Sequence, residues 1–375
     1  MKKFSKFLIL LITLILFLLI IDKIIGKFIH SNTDLKIIHR GLAIREHKNN
    51  LNIKYYIPTE YFKSLINIEN KEYSIQTDDD GFIMGTNDIS INENQFDSKI
   101  IFFGGSIVEG YASEAGFRFP HLVSENFRIE NIRVKTLNAG VFANNMFHDL
   151  IILLAKGIPQ KPDFVILLNG FNDFSQSTKG IYYWSNESDR KIFLEKDFNI
   201  NFFDIIKKNF QNTWVLLKIN FSNLQYFKQR IFDEFASQRK KSFDKEYIKK
   251  NFINDYSAII KSFIDISRNH GIEPILMTYP SMLKSGNSKG KANYEIYTNE
   301  NFEEMVELYA LFNNQIIKIS KEKKVTFIDL DKELNGNEKY FIDLTHLSKE
   351  GNIKVASMIT HTLKMNYPNK FKSSK

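Results

Sequence analysis

From Lys99 onward, five short apolar runs (KIIFFG, VKTLNAG, DFVILLN, PILMTYP and VTFIDL) alternate with longer stretches of helical character, among them NNMFHDLIILLAKG and NFEEMVELYALFNNQIIKIS. Strands that are apolar on both faces must be covered on both, and strands separated by helices pair through crossovers. The rhythm therefore predicts a doubly wound α/β domain with a parallel sheet of about five strands. In such sheets ligands sit outside the carboxyl ends of the strands. Chemistry-bearing residues are expected just after each apolar run.

Polar and small residues gather at those ends. Gly104, Gly105 and Ser106 follow the first run, and Asn138, Ala139 and Gly140 end the second. Gly170, Phe171, Asn172 and Asp173 follow the third, while Asp343 and His346 lie in YFIDLTHLSKEG after the last. GGSIVEG matches neither a Walker loop, which ends in GK[ST], nor the dinucleotide G-x-G-x-x-G pattern. It reads as a tight strand-to-helix turn with Ser106 projecting over the sheet edge, or as an ordinary glycine-rich connection. A serine hydroxyl is a poor nucleophile until a base takes its proton, and an imidazole serves best when a carboxylate fixes its tautomer. Asp343 and His346, three residues apart, can form that pair, although D-x-x-H alone also describes a capping aspartate beside a surface histidine. The Asn172 side chain and backbone N–H groups of Ser106 and the 138–143 loop are candidate oxyanion donors. The joint occurrence at one rim is specific where each segment alone is not.

GGSIVEG, NAGVFANN, LLNGFNDF and FIDLTHLSKEGN, in this order, resemble the four blocks of the SGNH, or GDSL, hydrolase superfamily. The resemblance runs from about residue 99 to the final helix. It implies a flavodoxin-like three-layer α/β/α domain and ester-directed chemistry with no metal and no organic cofactor. By position it makes Ser106 the nucleophile, His346 the base and Asp343 its orienter, with the Ser106 N–H, Ala143 and Asn172 forming the oxyanion hole. Gly140 is the alternative to Ala143 as donor and otherwise a turn former. Two positions depart from the family pattern: Gly105 replaces the usual aspartate before the nucleophile, and Ala143 replaces the oxyanion glycine.

Ahead of this domain, residues 7–21 (FLILLITLILFLLII) are apolar except for Thr13, with Lys2, Lys3 and Lys6 before them and Asp22 and Lys23 after. A helix rises about 1.5 Å per residue. With Phe4, Ile24 and Ile25 extending the run and the lysines snorkelling, one transmembrane helix across a hydrocarbon core of about 30 Å is feasible. No small-residue cleavage site follows, so the run reads as a retained signal anchor. The leading lysines place the N-terminus in the cytoplasm and the body outside it, on the periplasmic or cell-surface side. The net charge of +8 comes without any RNP, zinc-finger or arginine-stripe pattern and reads as a lysine-solvated surface, not a nucleic-acid site. The absence of cysteine excludes disulfides and thiolate chemistry. TDDDG, residues 77–81, lacks the ligand spacing of a calcium loop and reads as a turn.

The expected organisation is a membrane anchor at 1–27, a connector with small β elements (KYYIP and EYSIQ) at 28–98, the hydrolase-like domain at 99–366 and a basic tail at 367–375. A helical insertion at about 175–255 suits an acyl pocket, a cap, a membrane-facing surface or plain packing, and the aromatic stretch GIYYWSNES suits sugar rings or a core. The expected activity is that of a membrane-anchored extracytoplasmic serine esterase, working through an acyl-serine on an O-acyl ester of a carbohydrate or lipid of the cell envelope. Two alternatives stand beside it. One is an O-acyltransferase that modifies a cell-surface polysaccharide; the other is a noncatalytic membrane-anchored component of a polysaccharide-assembly complex, against which the complete Ser106, Asp343 and His346 set argues.

Overall fold

The structure, a computed structural model, describes residues 13–14, 16–17, 20, 37–38, 44–57, 72–86, 96–183, 245–296 and 300–372. The compact unit that carries the chemistry comprises residues 35–194 and 243–375. Most of the expected anchor, residues 184–244 of the expected insertion and the end of the basic tail lie outside the described residues.

The five apolar runs form one sheet. Its strands are β1 (Ser98–Gly104), β2 (Val134–Asn138), β3 (Phe164–Leu168), β4 (Glu273–Met277) and β5 (Thr326–Ile328). They lie in the order β2-β1-β3-β4-β5, and every pairing is parallel. The reason lies in burial. All five β3 residues are buried, and so is β1 from Ile100 to Gly104, so both faces of the central strands need a cover. Phe102 meets Phe119 edge-on at 5.7 Å, whereas its neighbour Phe103, on the opposite face, meets Phe263 at 5.4 Å. Truncating either fully buried ring to alanine should cost about 3–5 kcal/mol.

The helices divide accordingly. Those that bear on the site are α1 (Ser106–Glu109), α2 (Phe119–Ile129), α3 (Met146–Ile152), α4 (Phe171–Ser177), α5 (Ile253–Asn269), α6 (Ser288–Glu295), α7 (Phe302–Lys323), α8 (Leu330–Leu334) and α9 (Lys349–Asn366). Helices α2 and α9 pack together, while α5 packs on α3 and α7, giving the three layers. Their ends follow local chemistry. The Asn301 side chain accepts from Glu304 N–H at the start of α7, Glu303 and Glu304 lie in its first turn, and Lys324 stops it in the left-handed conformation (φ +51°).

The segment expected as a connector is folded into the same unit. Asn52–Tyr56 pairs antiparallel with Glu72–Gln76, and Tyr55 stacks on Tyr73 at 5.3 Å over a small core with Ile57, Ile75 and Ile83. From there Ile83 N–H donates to Asn138 O (2.9 Å), which ties the segment to the end of β2.

Candidate active site

The sheet order places the switch point between β1 and its two neighbours, and the loops after β1, β2 and β3 meet there. Ser106 opens α1 immediately after the Gly104–Gly105 turn and is 6% exposed. Its own N–H, at the head of a one-turn helix, has no intrahelical acceptor. Gly105 is required by a close approach. A Cβ there would lie 2.5 Å from Asn172 Nδ2 and 3.1 Å from Asn144 O. The space a side chain would fill at this position holds the Asn172 amide.

Asp343 and His346 are positioned by a loop that closes on itself. Phe341 bridges Leu347, Ile342 N–H donates to His346 O (2.9 Å), and Ser348 then caps α9. Within the loop, Asp343 Oδ1 accepts from the backbone N–H groups of Thr345 and His346, both at 2.8 Å, and Oδ2 lies 2.6 Å from His346 Nδ1. Burial pushes the Asp343 carboxyl up, but the adjacent imidazole and the two backbone donors outweigh it and hold the group below its ordinary value. An ionised carboxylate only accepts, so the proton between them sits on Nδ1. In the neutral imidazole Nε2 is then an acceptor, and it lies 2.8 Å from Ser106 Oγ. The serine hydroxyl is thus the donor of that bond. Serine, histidine and aspartate form one continuous relay, with the His346 and Asp343 side chains 16% and 14% exposed.

The expected oxyanion donors surround the same turn. Asn172, 8% exposed in α4, donates through Nδ2 to Asn144 O (2.8 Å), which also accepts from Asn169 Nδ2 (3.0 Å). The loops after β2 and β3 are thereby tied together. Ala143 has φ +64°, so its backbone adopts the left-handed conformation that a glycine would take more freely. Gly140 is differently employed: its N–H donates to Asn138 Oδ1 (2.9 Å), and a Cβ there would lie 2.3 Å from Glu109 N. Gly140 is a packing position, which leaves Ala143 as the donor candidate in this loop.

Of the two readings open for the aromatic stretch, Tyr182 and Tyr183 take the packing one. Tyr183 donates to Asp173 Oδ1 (2.5 Å) and stacks on Phe252 at 5.0 Å, and Tyr182 contacts Tyr247 at 4.8 Å, so these rings pack on the body; Trp184 lies outside the described residues. The rings beside the relay are Tyr111, 4.5 Å from the His346 ring, and Phe142, 5.8 Å from Tyr111 and 42% exposed. The sequence does not single them out, because a chain with 34 phenylalanines and 16 tyrosines offers no contrast. Among the described residues no group of acidic and histidine side chains could hold a metal ion.

No protein-family profile matches the sequence, and no curated protein matches it. Solved structures do resemble it. An acetyl xylan esterase is 17% identical, with 71% of this chain and 99% of that one covered and a TM-score of 0.41. A lipase/acylhydrolase from Enterococcus faecalis is 16% identical over 72% of this chain and 96% of its own, with a TM-score of 0.43. A GDSL-like lipase from Bacteroides thetaiotaomicron is 13% identical over 72% and 89%, at 0.40. All three are named as ester-cleaving enzymes. At this identity and TM-score the likeness assigns this chain neither a substrate nor a reaction, which have to come from the site itself.

Proposed function

We propose that this protein is a serine esterase that cleaves an O-acyl ester of a carbohydrate or lipid through an acyl-serine. One observation carries the reading: Ser106 Oγ, His346 and Asp343 stand in an unbroken relay with contacts of 2.8 and 2.6 Å. Ser106 Oγ attacks the ester carbonyl carbon while its proton passes to His346 Nε2. The imidazolium is stabilised by Asp343, whose carboxylate stays ionised. The carbonyl oxygen becomes an oxyanion that the Ser106 and Ala143 N–H groups and the Asn172 amide stabilise. Collapse breaks the bond to the alcohol oxygen, which takes the proton from Nε2, and water then repeats the sequence to release the acid and restore Ser106.

The protein works at a membrane in this reading, held by residues 7–21 with its body on the extracytoplasmic side. The sequence supports this through the apolar run and its leading lysines. The described residues of that run, Thr13, Leu14, Leu16, Phe17 and Ile20, are helical, and its four apolar members are each more than half exposed. Among the described residues no helix is long and apolar enough to cross a membrane. The decisive experiment is hydrolysis of a short-chain aryl ester by the detergent-solubilised full chain beside Ser106→Ala. Release that depends on Ser106 supports the esterase; no release, or release unchanged in the variant, removes it.

A further inference from the structure

Glu109 is the last residue of α1, the one-turn helix that begins with Ser106, and it is fully buried. A helix of one turn is held by few bonds of its own. Val108 and Glu109 N–H donate to Gly105 O, and Gly110 and Tyr111 N–H donate to Ser106 O. Its orientation therefore depends on what grips its far end. There His47, from the folded segment before the sheet and 1% exposed, brings Nε2 to 3.6 Å from Glu109 Oε1. The same nitrogen lies 3.1 Å from Gly140 O. A carbonyl only accepts, so Nε2 carries a proton and donates to Gly140. Gly140 belongs to the loop that three residues later supplies Ala143.

We propose that His47 is a positioning residue that holds the nucleophile's helix and the oxyanion-donor loop in register. The role rests on the acyl-serine reading above. The two elements are already pressed together, since a Cβ on Gly140 would lie 2.6 Å from Val108 C. Asn138 stitches them, donating from Nδ2 to Val108 O (2.8 Å) and accepting at Oδ1 from Gly140 N–H. His47 adds a further tie, from a third segment. Stability alone is a poor reason for it. Burying a carboxylate and an imidazole beside Arg118, whose guanidinium burial pushes down to about 10 against the pull of Glu109, is expensive, and packed apolar side chains would be no less stable. What the polar grip provides is a fixed distance between Ser106 and the Ala143 N–H, and a misplacement of about 1 Å at a reacting centre can cost on the order of 10²-fold in rate.

The test compares full-chain variants by kcat and KM for an aryl acetate and by the rate constant at which a fluorophosphonate labels Ser106, which counts folded molecules alone. His47→Met, which keeps bulk and removes the donor, should slow both turnover and labelling by about ten- to a hundredfold, with KM within about twofold of wild type. His47→Gln, whose amide nitrogen reaches the place of Nε2, should recover to within about threefold. Glu109→Gln, which keeps the shape and removes the charge that holds the imidazole, should slow labelling by about three- to tenfold and serves if the methionine variant does not fold. Labelling at the wild-type rate in folded His47→Met, or in Glu109→Gln where the methionine variant does not fold, overturns the role, whatever the melting temperature. Wild-type protein that is not labelled removes the acyl-serine reading and this role together, whereas labelled wild type with unaffected variants removes this role alone.

Discussion

His346 Nε2 and Ser106 Oγ are 2.8 Å apart although 240 residues separate them in the chain. The sheet brings Ser106 to the rim, and a self-closing loop ahead of the last helix brings His346 there with Asp343 already bound. Ser106→Ala and His346→Ala should each lower esterase turnover by several orders of magnitude. Asp343→Asn would leave the geometry but favour the wrong imidazole tautomer, for a loss of up to ~10⁴. Initial rates on an aryl ester check all three, and near-normal turnover in Ser106→Ala would exclude the assignment.

Gly105 makes a second, less obvious test. Its missing Cβ is the space that the Asn172 amide occupies, so Gly105→Ala should displace that amide and mimic Asn172→Ala. Each should cost about 10²–10³ in kcat with little change in KM, because the donor acts on charge that develops only in the transition state. The double variant should be little worse than either single one, since both remove the same interaction. Additive losses would show that Gly105 serves some other purpose.

The five strands were legible because the runs of the central strands are apolar on both faces and all five alternate with helical stretches, and the rim residues followed from the carboxyl-end rule. The pairing of Ser106 with His346 was legible through residue chemistry and order along the chain. Other parts had no signal to read. The Gly105 contact depends on where Asn172 points, which no spacing encodes. His47 lies in a stretch that reads as a connector, yet it is buried against Glu109 and Gly140 by pairings between distant segments. The aromatic stretch at 180–188 suited sugar rings or a core, and for Tyr183 the choice turned on its finding a buried carboxylate.

Asp149 gives a stability test with a definite sign. It is fully buried, and burial, with Asp173 nearby, raises its carboxyl well above the ordinary value against the opposing Asn169 hydrogen bond. The folded state therefore keeps the proton that the unfolded chain releases above about pH 4. Its contribution is fully present below that pH and declines as pH rises toward the folded value. Asp149→Asn cannot ionise and should remove this loss, so its stability relative to wild type should increase as pH rises from about 4 toward the folded value. Urea unfolding across that range measures it, and a difference that does not change with pH would place an ionised carboxylate in the folded protein.

The topology prediction depends on Lys2, Lys3 and Lys6 standing before the apolar run. Alkaline phosphatase fused after Lys375 should be active under the proposed topology, which puts the body outside the cytoplasm. An inactive fusion in protein that remains membrane-bound would reverse the orientation, and protein recovered free of the membrane would remove the anchor.

Hydrolysis and transfer differ in what meets the acyl-serine. Both routes esterify Ser106, so labelling by a phosphonate cannot separate them. A transferase must hold an acceptor hydroxyl at His346 Nε2 and keep water away from it. The structure gives that task little support among the described residues. Tyr182 and Tyr183 are spent on packing, and the rings beside the relay, Tyr111 and Phe142, include one that is 42% exposed. The His346 side chain itself retains 16% exposure, so the imidazole is not sealed from solvent. With an aryl acetate as donor and a range of envelope oligosaccharides as acceptors, mass spectrometry should find free acetate in excess over acetylated sugar, and both should vanish in Ser106→Ala. Phe142→Ala should raise KM for an acetylated oligosaccharide more than for the aryl ester, since an exposed ring beside the relay can contact the alcohol side of a large ester and not a small one. Acetylated sugar exceeding acetate in the wild-type protein would assign the site to transfer.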